Sequence, residues 1–173
     1  MARDRERTDL IVVTDTMTHA RQDIGTRTIA KQAIDEGVYS DAGPLGVHFL
    51  IRRSGTIEIG RDMLAEGQHL LGYNDVAVYI MLVGGATRQG EREDNSTREQ
   101  RKSLEILTKL LWRIYPSAIL APQDALCGMG GPSLDLYAWE VETFNSGHER
   151  RLLEYMAERT AAAAADAMFD APA

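Results

Sequence analysis

The side chains in this sequence best suited to metal or proton chemistry are Asp15, His19, Asp124 and Cys127, with His48 and His69 as two further imidazoles. Carboxylate, imidazole and thiolate are the donors a zinc ion takes. A catalytic zinc keeps one position for water and lowers that water's pKa to about 7. Asp124-x-x-Cys127 is a spacing that a loop can close on one ion. Asp15 ends a β-rich run, and strand alternation turns it away from the face of Thr14. An Asp/Asp/Cys set without histidine is unusual for zinc, and spacing implies no partner for His19. The plainer reading is two solvated carboxylates, a loop histidine and a small thiol. The GMGGP run, Gly128 to Pro132, lacks the Lys-Ser/Thr of a phosphate-binding loop and reads as a flexible lip.

The elements that must position these groups follow from hydrophobic patterning. Leu10 to Val13 and Asp75 to Val83 are continuous β-rich apolar runs and read as buried strands. Gly46 to Arg52 and Thr56 to Gly60 flank Ser54-Gly55 and predict a hairpin. Ile29, Ala30, Ala33 and Ile34 have helical spacing between Gly25 and Gly37. A longer helix opens at Asn95-Ser96-Thr97, where Ser96 with Glu99 or Thr97 with Gln100 forms a capping box. It buries Leu104, Leu107, Leu111 and Ile114 and stops at Pro116. Ala118 to Ala121 is a strand, Leu134 to Phe144 a short helix, and His148 to Phe169 a last helical segment. Its Leu152, Leu153 and Met156 form a stripe expected to pack on its own domain rather than on a partner, with Ala161 to Ala165 allowing close approach. Tyr73-Asn74 fixes the turn into the strand that follows, and Gly84-Gly85 lets the chain turn at a strand end. The expected fold is one α/β domain with a mixed central sheet flanked by helices and an extra C-terminal helix. Its divisions are a flexible N-terminal arm (1–8), in which Arg3, Arg5 and Arg7 alternate with Asp4 and Glu6 as in a solvated tail, the main domain (9–146) and the helical extension (147–173).

A chain of 173 residues is long enough for one core. Its net charge of −7 argues against direct nucleic-acid binding, which needs a dense basic surface. One cysteine excludes an internal disulfide. The N-terminus MARDRERTDL has no apolar signal-peptide core, and the longest apolar run, Val76 to Val83, is too short for a bilayer.

Three stretches together resemble the type 2 N-acetylmuramoyl-L-alanine amidases, the group that includes peptidoglycan recognition proteins. They are TDLIVVTDTMT (Thr8 to Thr18), GVHFLIRRSGTIEIGRDMLAEGQHLLGYNDVAVYIMLVGG (Gly46 to Gly85) and GPSLDLYAW (Gly131 to Trp139). The likeness is nearest to the short-tailed-phage lysozymes that also inhibit the phage RNA polymerase. It implies a zinc ion held by two histidines and a cysteine. The positions it implies for those ligands carry Thr14, Pro122 or Gln123, and Gly131. Its catalytic tyrosine falls on Val47, and the lysine of the phage enzymes falls on Met129. Valine cannot donate a proton and methionine carries no charge for an oxyanion. The expectation is a site with no catalytic residue and no zinc cofactor.

The resemblance therefore implies a protein that acts by binding in the cytoplasm of an infected host cell. The expected partner is a single-subunit phage RNA polymerase, with the N-terminal arm in contact. An alternative is non-cleaving capture of a peptidoglycan fragment or other small ligand in the vacated cleft, where His48, His69, Tyr73 and Asn74 are the lining candidates. His48 and His69 read equally well as braces of the sheet and its loop. A second alternative is an active amidase with displaced ligands drawn from Asp15, Asp124 and Cys127.

Overall fold

A computed structural model describes residues 3–37 and 45–169; the first two residues of the expected arm and the last four of the extension lie outside that range. The expected α/β architecture is present. The sheet has the order β4-β3-β5-β1-β7, formed by β1 (Leu10–Asp15), β3 (Phe49–Ile51), β4 (Ile57–Ile59), β5 (Ala77–Leu82) and β7 (Ile119–Pro122). Central β1 pairs in parallel with β5 and β7, and β4 returns antiparallel to β3. A sheet covered on both sides explains why β1 and β5 are apolar at successive positions rather than alternate ones. A small parallel pair, β2 (Thr18–His19) with β6 (Gly85–Ala86), continues beyond the main strands.

The two sides of the sheet bury different helices. Leu10, Val12, Val47, Tyr79, Met81 and Ala121 form one cluster, onto which α1 (Thr26–Asp35) places Ala30. Ile11, Val13, Ile51, Ile80, Leu82 and Leu120 form the other, covered by α2 (Arg98–Ile114) and α4 (Leu136–Phe144). Of the two capping boxes possible at the start of α2, Thr97 with Gln100 is the one formed. Leu104, Leu107 and Leu111 are buried as expected, but Ile114 is exposed in the last turn, just before the chain leaves helical geometry at Tyr115.

Three further features depart from the sequence reading. The segment expected to be a loop begins as α3 (Gln123–Cys127), which ends on left-handed Gly128. The N-terminal arm is docked rather than free from residue 3 onward. The Arg5 backbone N–H donates to Leu64 O (2.7 Å), and the Arg5 guanidinium donates to the carbonyls of Met63 and Ala65 and to Thr8 Oγ1. The arm's alternating charges resemble a solvated tail because its partners are backbone carbonyls, which sequence pattern does not display.

The third departure concerns α5 (Glu149–Phe169), whose first half packs on the domain as expected but not through a single stripe of Leu152, Leu153 and Met156. Leu152 is buried in the same cluster as Ala30, the Tyr155 hydroxyl donates to Asp9 (2.9 Å), and Arg159 donates to Gly72 O (2.7 Å). Leu153 faces solvent, so it does not share an apolar stripe with Leu152 and Met156, and Thr160 to Ala167 are exposed. Buried Glu140 of α4 holds the start of α5 by accepting from the backbone N–H of His148 (3.0 Å) and pairing with its ring Nδ1. A carboxylate at this end of a helix also meets the positive end of the helix dipole.

Candidate functional site

The expected site residues come from the C-terminal ends of β1 and β7 and the glycine loop after α3. Strand register places Thr14 beside Met81, on the side of the cluster that takes Ala30 of α1, and Asp15 beside Leu82, on the side covered by α2 and α4. Loop 128–131 straddles this strand end. A Cβ on Gly130 would stand 2.3 Å from Gln123 Nε2, whereas one on Gly131 would stand 2.5 Å from the Asp15 carboxyl carbon.

On the first side, Thr14 and Val47 are enclosed, with 2% and 0% exposure. Gln123 accepts from His69 Nε2 (2.6 Å) and donates to Met129 O (3.4 Å). The His69 ring packs edge-on against Tyr79, and burial lowers its pKa, an effect that the Gln123 bond opposes. The Met129 side chain is 69% exposed, so only its carbonyl takes part.

His48, expected either to line a cleft or to brace the sheet, has no exposed surface. Its Nδ1 accepts the Tyr79 backbone N–H (3.0 Å), which leaves the ring proton on Nε2 for the Ala65 carbonyl (2.9 Å). Desolvation lowers its pKa to about 4, helped by the nearby Arg5 and Arg61 charges. Enclosure removes it from the cleft-lining set. Asn74 Oδ1 accepts the backbone N–H groups of His69 and Leu70 and so holds the 67–74 turn, while Tyr73 lies beneath the Arg159 guanidinium (5.2 Å).

The three displaced-ligand candidates do not converge. Asp15 accepts the backbone N–H groups of Ser133 (2.7 Å) and Met17 (3.1 Å), and burial nevertheless raises its pKa. Asp124 is ion-paired with Arg92 (3.0 Å), which also donates to Pro132 O (2.7 Å). The exposed Cys127 thiol turns back to the Gln123 and Met129 carbonyls. His19 is held locally, with Nδ1 accepting from Arg21 N (3.2 Å). Among the described residues, no group of three or more His, Cys, Asp or Glu is placed to hold a metal ion. The positions that the resemblance assigns to zinc ligands offer a hydroxyl, a carboxamide already bonded to His69, and no side chain. This donor set does not fit a catalytic zinc.

Sequence reasoning missed Arg92, which ties α3 to the loop at Pro132, and the Glu140–His148 pair. Neither lies in a motif.

The chain is 36% identical over 137 residues to the endolysin of Escherichia phage T7, which covers 79% of this chain and 88% of that protein. It is 37% identical over 135 residues to the endolysin of Klebsiella phage KP32, covering 78% and 87%. The chain belongs to the phage endolysin family. Solved structures give this endolysin-family protein the amidase fold. The endolysin amidase LysCS from Clostridium intestinale URNW superposes with a TM-score of 0.65 at 25% identity, over 78% of this chain and 82% of that one. Drosophila PGRP-LB superposes with a TM-score of 0.69 at 18% identity, over 86% and 89%. No family model matches the sequence. No helix among the described residues is long and apolar enough to cross a membrane.

Proposed function

We propose that this endolysin-family protein is a non-cleaving member that acts by binding a protein partner, and that the partner is a single-subunit phage RNA polymerase. The observation that carries the reading is the chemistry at the end of β1: Thr14, Gln123 and Gly131 supply neither imidazole nor thiolate, and Val47 and Met129 supply no acid or cation. Two features favour a partner on the outer surface over a ligand in the old cleft. His48 is enclosed, and His69 is already bonded to Gln123. An inhibitor needs only a surface, and a surface does not depend on a metal. The polymerase itself comes from the resemblance to lysozymes that inhibit one.

A second reading is capture of a peptidoglycan fragment without cleavage. It draws on a structural neighbour, tracheal cytotoxin bound to the ectodomain complex of peptidoglycan recognition proteins LCa and LCx, with a TM-score of 0.67 at 18% identity. Changing His69 and Gln123 abolishes binding under this reading and leaves polymerase binding unchanged under the first.

The deciding experiment measures zinc content, lysis of exposed cell wall, and transcription by a purified T7-group polymerase, all on one preparation. Absent zinc and lysis with slowed transcription are expected. Stoichiometric zinc with chelator-sensitive lysis would return the chain to the endolysin activity named for its relatives.

A further inference from the structure

We infer that Asp15 is an internal cross-link standing in the space that a ligand side chain at position 131 would need, so that the carboxylate and Gly131 exclude any metal-binding residue there. The inference rests on the reading that positions 14, 123 and 131 hold no metal, and it explains what holds those segments together instead.

The geometry is tight on two sides. A Cβ on Gly131 would meet the Asp15 carboxyl carbon at 2.5 Å and both of its oxygens at 2.6 Å, and one on Gly85 would meet Oδ2 at 2.1 Å. Gly85 has a backbone reason to be glycine, with φ at +99°. Gly131 has no left-handed φ to require glycine. The steric reason visible for glycine at 131 is the Asp15 carboxylate itself.

That carboxylate ties the end of β1 to the loop that carries position 131. It joins the end of β1 to Ser133 through the backbone N–H, and Ser133 Oγ donates onward to Gly85 O (2.6 Å). The start of α3 meets the same loop, with Asp124 N donating to Gly131 O (3.2 Å). Strand end, helix start and loop are thus joined by direct hydrogen bonds. A cysteine introduced at 131 has to displace Asp15 before its sulfur can reach any ion.

The test is a double-mutant cycle on the full chain, free of metal, read by thermal unfolding. G131A lowers Tm by roughly 4 °C or more with Asp15 present, as an overpacked core position does. In the D15A background the same change lowers it by less than about 1 °C, because the two residues are in contact and their effects are coupled. Asp15→Ser completes the same cycle with a short acceptor retained. Equal shifts in both backgrounds would overturn the inference.

A second measurement titrates cobalt(II) into T14H/Q123H/G131C with and without D15A, following the thiolate-to-cobalt absorption. Removing Asp15 tightens binding by about tenfold or more, since relief of an overlap worth about 1.4 kcal/mol is a tenfold change in affinity. Equal affinities, or no binding by either variant, would count against the exclusion. Metal bound by the unaltered chain would instead sink the functional reading, and the metal-free cycle separates the two failures.

Discussion

Acidification provides a direct measure of how His48 is held. Its pKa falls from 6.5 to about 4 in the fold, mainly because burial disfavours the imidazolium. Above pH 6.5 the ring is neutral in both folded and unfolded chains, and its contribution is fully present. Between 6.5 and about 4 the unfolded chain takes up a proton that the fold refuses, so stability falls with pH. Below about 4 the loss is complete, amounting to about 3 kcal/mol. His48→Gln keeps an acceptor for Tyr79 N and a donor for Ala65 O but cannot titrate. Urea unfolding of both proteins at constant ionic strength, from about pH 7 to about pH 4.5, checks this. The variant starts less stable and the gap narrows as pH falls. Asp15 works in the opposite direction: its raised pKa makes its contribution full below 3.8 and lost as pH rises through the folded value. Asp15 is common to both proteins, so the difference isolates His48. A gap independent of pH would refute the argument and reopen His48 as an accessible cleft residue.

Other perturbations follow from packing and polar satisfaction. Thr108 is fully buried in α2 and its Oγ1 has no hydrogen-bond partner among the described residues, so Thr108→Val stabilises by about 1 kcal/mol, visible as a raised Tm. The adjacent leucines of α5 separate sharply: Leu152→Ala destabilises by about 3 kcal/mol and Leu153→Ala by less than about 0.5 kcal/mol in chemical unfolding. Gly85→Ala combines a left-handed backbone with overlap on the Asp15 carboxylate and costs roughly 3 kcal/mol or more. Calorimetry finding Gly85→Ala within about 1 kcal/mol of the parent would contradict the close approach of those groups.

The elements easiest to read in the sequence were those whose signal repeats. LIVV and AVYIMLV announce strands buried on both faces, and Thr97-x-x-Gln100 announces the start of α2. Elements too short for a period were not legible: α3 has five residues after a proline, and β2 and β6 have two each. Strand alternation correctly separated Asp15 from Thr14, but nothing in the sequence shows that Gly131 folds over the carboxylate. The docking of Arg5 was hidden for a similar reason, because its acceptors are main-chain atoms some sixty residues away. At the candidate site, the missing donors were visible as residue types. The Gln123–His69 bond and the enclosure of His48 emerge only when β7, the 67–74 turn and β5 are assembled.

The central position of β1 also bears on how the chain is made. This strand is synthesised well before its sheet neighbours, which begin at Ala77 and Ile119. At ordinary ribosomal rates it waits about 3–13 s for β5 and longer for β7. Throughout that interval LIVV has no sheet in which to hide, and its nascent backbone is open to pairing with other chains. The vulnerable moment for this protein is therefore during translation, when yield depends on chaperone occupancy and elongation speed. Slowing synthesis upstream of β5 would prolong the exposure and lower the recovered soluble fraction, even though the finished fold would be unchanged.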